Sequence, residues 1–524
     1  MRRPQTGWST MRRGGRLVPR PPSLQEVVSV LSQAFHGIGA LFALQPFFYM
    51  LLGIVVGLAF GVAPGLGGIT AMAILVPLTY KLDQTSAFAL LIGAASAVAF
   101  GGSVSAILIN TPGTNQNVAT CLDGYPMTRR GEGRRAIGIS ATASALGGVI
   151  GAVVLLALIP VMHSIVLAFA PPEYFMLCLL GLTAIAGVSG KNMLKGLVMG
   201  GLGMLLSFVG YDPVTGTLRY TFNLLYLYDG IDIVAAVIGL FAVAEMISLM
   251  VEGQTIVSKN VVEKPGGLLE GVKDVFRHWW LFVRSSIIGT VIGIIPGVGG
   301  GTANVVAYSH AVQTSRHPER FGTGIPEGVI APESANNASF GGALVPTVAF
   351  GIPGSEMCVV LLGAFMLHGL VPGPEMLKEH VDLVFQMAWG VVFANIIASL
   401  IGVALMSWLV KMCSVRVSLL APSVIAIALL GAYATAGSVG DVVVALIFGV
   451  FGYWMKKLDY PRAPLMIGLV LGNLAEVNFH LSMQIYGPGF LFRPISLVIL
   501  VAILVFAFGP YVQRMAGARR RASA

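Results

Sequence analysis

From about residue 47 to residue 512 the chain runs as long apolar stretches separated by short polar ones that carry most of the charge. The first half offers stretches at roughly 136–160, 174–188, 193–210 and 231–251. The second half offers 383–410, 420–437, 441–455, 464–480 and 494–512. Lengths near ~20 apolar residues suit helices that cross a bilayer, and the apolar content could build on the order of ten crossings. The longest polar stretch, about 252–284, is linker-sized. The pattern predicts an all-α polytopic membrane protein. Composition agrees, with 56% apolar residues and 10% charged, against about 25% charged in soluble domains. One soluble globule and a disordered chain are both excluded.

The apolar text contains an internal repeat. Residues 61–71 read GVAPGLGGITA and residues 293–303 read GIIPGVGGGTA, with seven of eleven positions identical at an offset of 232. Phe100-Gly101-Gly102 then matches Phe340-Gly341-Gly342 at offset 240, and Asn110–Thr114 (NTPGT) aligns with Gly351–Ser355 (GIPGS) at offset 241. Further on, Pro172 and Gly181 match Pro422 and Gly431 at offset 250. Order is kept while the offset drifts, as in a duplicated half of roughly 200 residues.

Charge then orders the topology. The net charge of +9 gathers in short basic runs at Arg2–Arg20, Arg129–Arg135 and Arg514–Arg521. Such runs beside apolar segments follow the positive-inside rule and do not mark a nucleic-acid surface. Under that rule the Lys411/Arg416 loop is inside and its counterpart around 161–173 is outside, which predicts inverted-topology repeats. The Arg-rich start fits this only if the amphipathic stretch 24–45 also crosses. The expected organisation is an N-terminal extension over 1–45, a first repeat over 46–251, a cytoplasmic linker over 252–284, a second repeat over 285–512 and a basic tail over 513–524. Four scattered cysteines without CxxC spacing indicate neither a metal nor a disulfide. The Arg-rich start has no adjoining apolar core or A-x-A site, so no cleaved signal peptide is expected.

Each PGxGG run interrupts an apolar segment, at Pro64 and at Pro296. Proline removes an N–H and glycine permits positive φ, so a helix breaks there. Backbone groups so exposed at membrane depth are tolerated only where protein or a water-filled cavity satisfies them. Matched interruptions in two halves therefore predict broken helices or re-entrant hairpins around a binding site, and a helix that starts after the break aims N–H groups at an anion. The candidate substrate-binding residues are Pro64, Gly65, Gly67, Gly68 and Thr70 in one half and Gly297, Gly299, Gly300, Thr302 and Asn304 in the other. The second matched pair adds Asn110, Thr111, Pro112 and Gly113, together with Pro353, Gly354 and Ser355. Asn336 and Asn337 are adjacent amides in apolar text and need partners on two helix faces. Glu333 and Glu327 precede them; a carboxylate at membrane depth is a candidate for ion coupling, and the competing reading is an interfacial loop beside Pro326 and Pro332. Glu245 and Glu476 occupy matched positions near segment ends, where a structural salt bridge or an interfacial placement is expected.

No enzyme constellation is present: no P-loop, HExxH or GxSxG occurs. The stretches PGLGGITAMAILVPLTY, PGVGGGTAN, PEGVIAPESANNASFGGALVPTVAFGIPGS and DGIDIVAAVIGLFAVAEMI closely resemble the large membrane subunit, the TctA-type permease, of tripartite tricarboxylate transporters. The resemblance runs from about residue 45 to residue 510. It implies a multi-pass secondary carrier of the bacterial inner membrane, working with a small TctB-type membrane subunit and a periplasmic TctC-type solute-binding protein. That protein would hand over a carboxylate such as citrate, with uptake driven by Na⁺ or H⁺ and no cofactor or metal. A stand-alone carrier for another organic anion or an amino acid is the alternative; a channel fits poorly with a two-fold duplicated chain.

Overall fold

Lipid offers a backbone no hydrogen bonds, so apolar runs fold as helices that satisfy their own N–H and C=O groups. The computed structural model describes residues 37–63, 66–167, 169–188, 193–252, 267–412 and 417–505. The extension up to residue 36, Pro64, Gly65, residues 253–266 and the basic tail lie outside them.

The first half builds α1 (Leu44–Val62), α2 (Gly67–Leu78), α3 (Gln84–Ile109), α4 (Thr120–Arg129), α5 (Gly133–Leu167), α6 (Pro171–Val188), α7 (Met193–Ser207) and α8 (Ile233–Val251). After α9 (Leu268–Arg277) come α10 (Trp279–Ile294), α11 (Gly299–Thr314), α12 (Glu327–Phe350), α13 (Glu356–Leu367) and α14 (Pro374–Lys378). The chain then runs through α15 (Val381–Ala404), α16 (Met406–Met412), α17 (Val417–Ala436), α18 (Val439–Lys457), α19 (Arg462–Tyr486) and α20 (Pro494–Val505). Among the described residues seven helical segments are long and apolar enough to cross a membrane, which makes this a multi-pass membrane protein. A small antiparallel pairing of β1 (Gly210–Tyr211) with β2 (Leu218–Arg219) interrupts the helices. The span expected as a linker is not all linker, because it contains α9 and the start of α10. Arg135 Nε donates to Asp274 of α9 at 2.7 Å, fastening α9 to the start of α5.

Helices α3 and α12 form the centre; every residue from Ser86 to Leu108 and from Gly328 to Ala349 is buried. Glycine makes this possible, because without hydrophobic drive between helices in lipid, close backbone approach supplies the packing. A Cβ on Gly57 of α1 would lie 2.4 Å from the Ala94 carbonyl oxygen of α3, and one on Gly61 would lie 2.4 Å from that of Val98. In the second half, a Cβ on Gly289 or Gly293 of α10 would lie 2.3 or 2.1 Å from the carbonyl oxygens of Ala335 and Ser339 of α12.

Both central helices end alike. Asn110 (φ 55°) and Gly351 (φ 69°) take left-handed conformations, and their N–H groups return to the carbonyls of Ser105 and Pro346. Four residues past each of these caps, Thr114 and Ser355 are extended and accept through their hydroxyls from the N–H groups of Gln116 and Cys358. Around the Pro-Gly runs the chain also turns back. Gln45, at the start of α1, donates to Asp83 beyond α2 at 3.2 Å. His278, just before α10, lies 3.2 Å from Glu327, just beyond α11.

Candidate functional site

The starts of α2 and α11 face a cavity of about 700 Å³, a volume within the usual ligand-site range. Gly67, Gly68 and Thr70 line one side of it, and Gly297, Gly299, Gly300 and Thr302 line the other. Gly67, Gly297 and Gly299 have φ of 65°, 77° and 67°, a conformation that glycine adopts without a steric cost. The first N–H groups of a helix have no partner within it. The residues capping these two helices, Leu66 and Val298, make no side-chain bond to them either. Two bundles of donors and two positive helix ends thus converge on one space.

The turns after α3 and α12 complete the wall through Pro112, Gly113 and Ser355. Other residues singled out in those turns have different tasks. Asn110 and Thr111 stand behind the cavity wall, Asn110 as the left-handed end of α3. Pro353 and Gly354 do not line it either; Gly354 N–H donates to the Thr347 hydroxyl at 3.2 Å. Asn304 is fully buried in α11 and donates to the Pro332 carbonyl of α12 at 3.3 Å, away from the large cavity.

Four charged residues of the wall were not among the expected site residues: Glu245, Glu356, Lys456 and Arg462. Lys456 Nζ donates to Glu245 at 2.6 Å, and Arg462 donates to the other oxygen of Glu245 at 3.2 Å. The salt bridge expected at Glu245 therefore exists, and it stands at the cavity. Arg462 also donates to the Leu240 carbonyl at 3.1 Å, and its guanidinium lies over the Phe241 ring at 5.5 Å. Leu240 and Phe241 belong to a π-helical turn, Ile238–Val243, inside α8. Such turns free carbonyls from the helical ladder and recur at functional sites. No local pattern could reveal this cluster, because its partners are 211 and 217 residues apart in the chain.

Asn336 and Asn337 do not reach the large cavity. They line a second cavity of about 10 Å³ beside it, with Ser96, Gln116, Ser339 and Asn395. Glu333 lies one helical turn earlier and is fully buried, inside a helix, so the loop reading does not apply to it. Its carboxylate accepts from Ser103 at 2.7 and 2.8 Å, Ser140 at 2.7 Å and Ser144 at 2.9 Å, and from the Thr120 hydroxyl. All of these partners are neutral. Glu327 opens α12 in contact with His278 and is about one-third exposed, which places it at the edge. Among the described residues no group of three or more His, Cys, Asp and Glu side chains could hold a metal ion.

The Tripartite tricarboxylate transporter TctA family model matches residues 47–467. A protein of Agrobacterium vitis, named as an uncharacterized 52.8 kDa protein in the TAR-I ttuC' 3' region, is 32% identical over 465 residues, 88% of this chain and 91% of that protein. A second Agrobacterium vitis protein, from the TAR-II ttuC' 3' region, is 32% identical over 197 residues, 38% of this chain and 81% of its own. No solved structure matches the chain. With four-fifths of its length matched, a multi-pass helical body and a cavity faced by two helix starts, the chain belongs to the tripartite tricarboxylate transporter TctA family.

Proposed function

We propose that this chain is the ion-driven permease subunit that imports citrate or a related carboxylate across a bacterial inner membrane. In this reading a periplasmic solute-binding protein delivers the anion and a small membrane subunit completes the complex. The observation that carries it is the cavity set between the starts of α2 and α11, with Lys456 and Arg462 in its wall. A di- or trianion there meets backbone donors from two directions, and its carboxylates compete with Glu245 for the two cations.

Two inverted repeats with paired re-entrant hairpins account for the architecture. The α1/α2 and α10/α11 pairs each return to the side from which they start. With α3 and α12 set at the offset of 241 that relates their ends, one residue from the 240 of the Phe-Gly-Gly match, their glycine contacts also correspond: Gly57 on Ala94 pairs with Gly289 on Ala335, and Leu58 on Gly101 with Thr290 on Gly342. Hairpins entering from opposite sides bring their tips together at mid-depth, where carriers of this plan hold substrate. Glu333 is the residue we assign to ion coupling, as a buried carboxylate with no cationic partner.

The test is labelled citrate uptake into proteoliposomes that hold the chain and its small membrane partner, with and without the binding protein, under imposed Na⁺ or pH gradients. Uptake requiring the binding protein and one gradient is the expected result. Uptake without the binding protein would make this a stand-alone carrier, and silence with every carboxylate tried would refute the proposal.

A further inference from the structure

The small cavity beside the large one is lined by polar atoms that nothing satisfies. Asn336 is 2% exposed, yet both its side-chain Oδ1 and Nδ2 are without a partner, and so are Asn337 Oδ1 and Ser96 Oγ. Buried polar groups in this condition are rare and costly, and each calls for an explanation. With about 10 Å³ of room, the space accepts one water-sized species and no organic anion.

The hydrogen-bond network decides which atoms face this space. Asn395 donates through Nδ2 to the Val391 carbonyl at 2.8 Å, so its Oδ1 must accept, and Asn337 supplies that donor through its own Nδ2 at 2.5 Å. The amide of Asn337 is thereby turned with its oxygen toward the cavity. Ser339 spends its hydroxyl proton on the Asn336 carbonyl at 2.6 Å and has only lone pairs left to offer. Three unpartnered oxygens therefore face the space, Asn336 Oδ1, Asn337 Oδ1 and Ser96 Oγ, and oxygens are the ligands a hard cation takes; a water is the rival occupant, with Asn336 Nδ2 and the Ser96 hydroxyl as its donors. One turn away, the Glu333 carboxyl is held by hydroxyls and faces no cationic partner.

We infer that this cavity binds a monovalent cation of Na⁺ size through Asn336, Asn337 and Ser96. The inference rests on the carrier reading above and deepens it by placing the coupling ion. Ser96 and Asn337 are counterparts at offset 241, as are Gln116 and Met357, and all four line the cavity. It also shares Gln116, Gly300 and Ser355 with the large cavity. A cation there closes the floor under the bound anion, neutralises part of its charge and holds Gln116 and the α11 start in place. Anion and cation each bind better when the other is present, which is what coupled transport requires.

The test is equilibrium binding of radioactive Na⁺ to the purified full-length chain in nanodiscs, with choline keeping ionic strength constant. It needs no substrate and no partner, so it can succeed even if citrate uptake fails. The expected result is saturable binding in the wild type, weakened about tenfold or more in Ser96→Ala and in Asn336→Ala. Asn337→Asp, which puts a formal charge at the same position, is expected to bind Na⁺ more tightly. Size-exclusion elution establishes that each variant is folded, and Ser96→Ala removes a single atom should Asn336→Ala misfold. Absence of binding in the wild type would leave a buried water only. Unchanged affinity in folded Ser96→Ala and Asn336→Ala, with loss only in Glu333→Gln, would move the ion to the hydroxyl cage. Either result overturns the inference.

Discussion

Glu333→Gln separates a carboxylate kept for function from one kept for stability. Burying an ionised carboxylate without a cationic partner costs several kcal/mol after relaxation. Against this, Glu333 collects four hydroxyl donors from α3, α4 and α5, Ser103 reaching both of its oxygens. The amide keeps the shape and one acceptor atom. If its nitrogen replaces the oxygen that Thr120 and Ser103 share, Thr120 loses its acceptor, whereas Ser103 keeps the other oxygen and the Ala99 carbonyl at 3.1 Å. One or two bonds to a charged acceptor are worth about 1.5–3 kcal/mol each. The loss and the recovered desolvation are of similar size, so Glu333→Gln is expected within about 2 kcal/mol of wild type. Ion-driven uptake should nevertheless be abolished. The assays are denaturant unfolding of the full-length chain in mixed micelles and gradient-driven uptake in proteoliposomes. A loss beyond about 4 kcal/mol, with uptake surviving in the folded fraction, would refute the reasoning and make Glu333 a structural hub.

Three further outcomes follow from the same geometry. Alanine at Gly57 or Gly289 places a methyl 2.4 or 2.3 Å from a facing carbonyl oxygen; each should lower stability by about 1–3 kcal/mol through helix separation, and unfolding curves that differ sharply between the two would count against corresponding packing in the two halves. Arg462→Gln removes a cation from the cavity and weakens the bond to the Leu240 carbonyl, so the half-saturating carboxylate concentration should rise by at least about tenfold, while an unchanged value measured in uptake would place the anion elsewhere. Thr114→Ala and Ser355→Ala remove the capping hydroxyls of matched turns, and each should cost about 1 kcal/mol in an unfolding titration.

The sequence alone determined what is local. Apolar length and scarce charge specify membrane helices, and the ends of α6, α8 and α18 lie within three residues of the positions read from hydropathy. Proline and glycine act on their own backbone, so the ends of α1 and α10 at Val62 and Ile294 were legible one or two residues before each proline. The matched Pro-Gly spacing that suggests a repeat can be read there too, because it survives where apolar text drifts. Contacts between distant segments were not legible. A lone glutamate such as Glu333 looks the same whether lipid, water or a ring of hydroxyls surrounds it, and nothing local distinguishes Ser103, Ser140 and Ser144 from the small residues that packed membrane helices use anyway. Lys456 and Arg462 read as loop charges, and only the folding of α18 and α19 against the π-helical turn of α8 carries them to the cavity. Asn336 and Asn337 were recognisable as needing partners, but which way an amide points is set by Asn395, far along the chain. Periodicity, breaks and composition act over a few residues; a binding site is a meeting of remote side chains, and only packing brings them together.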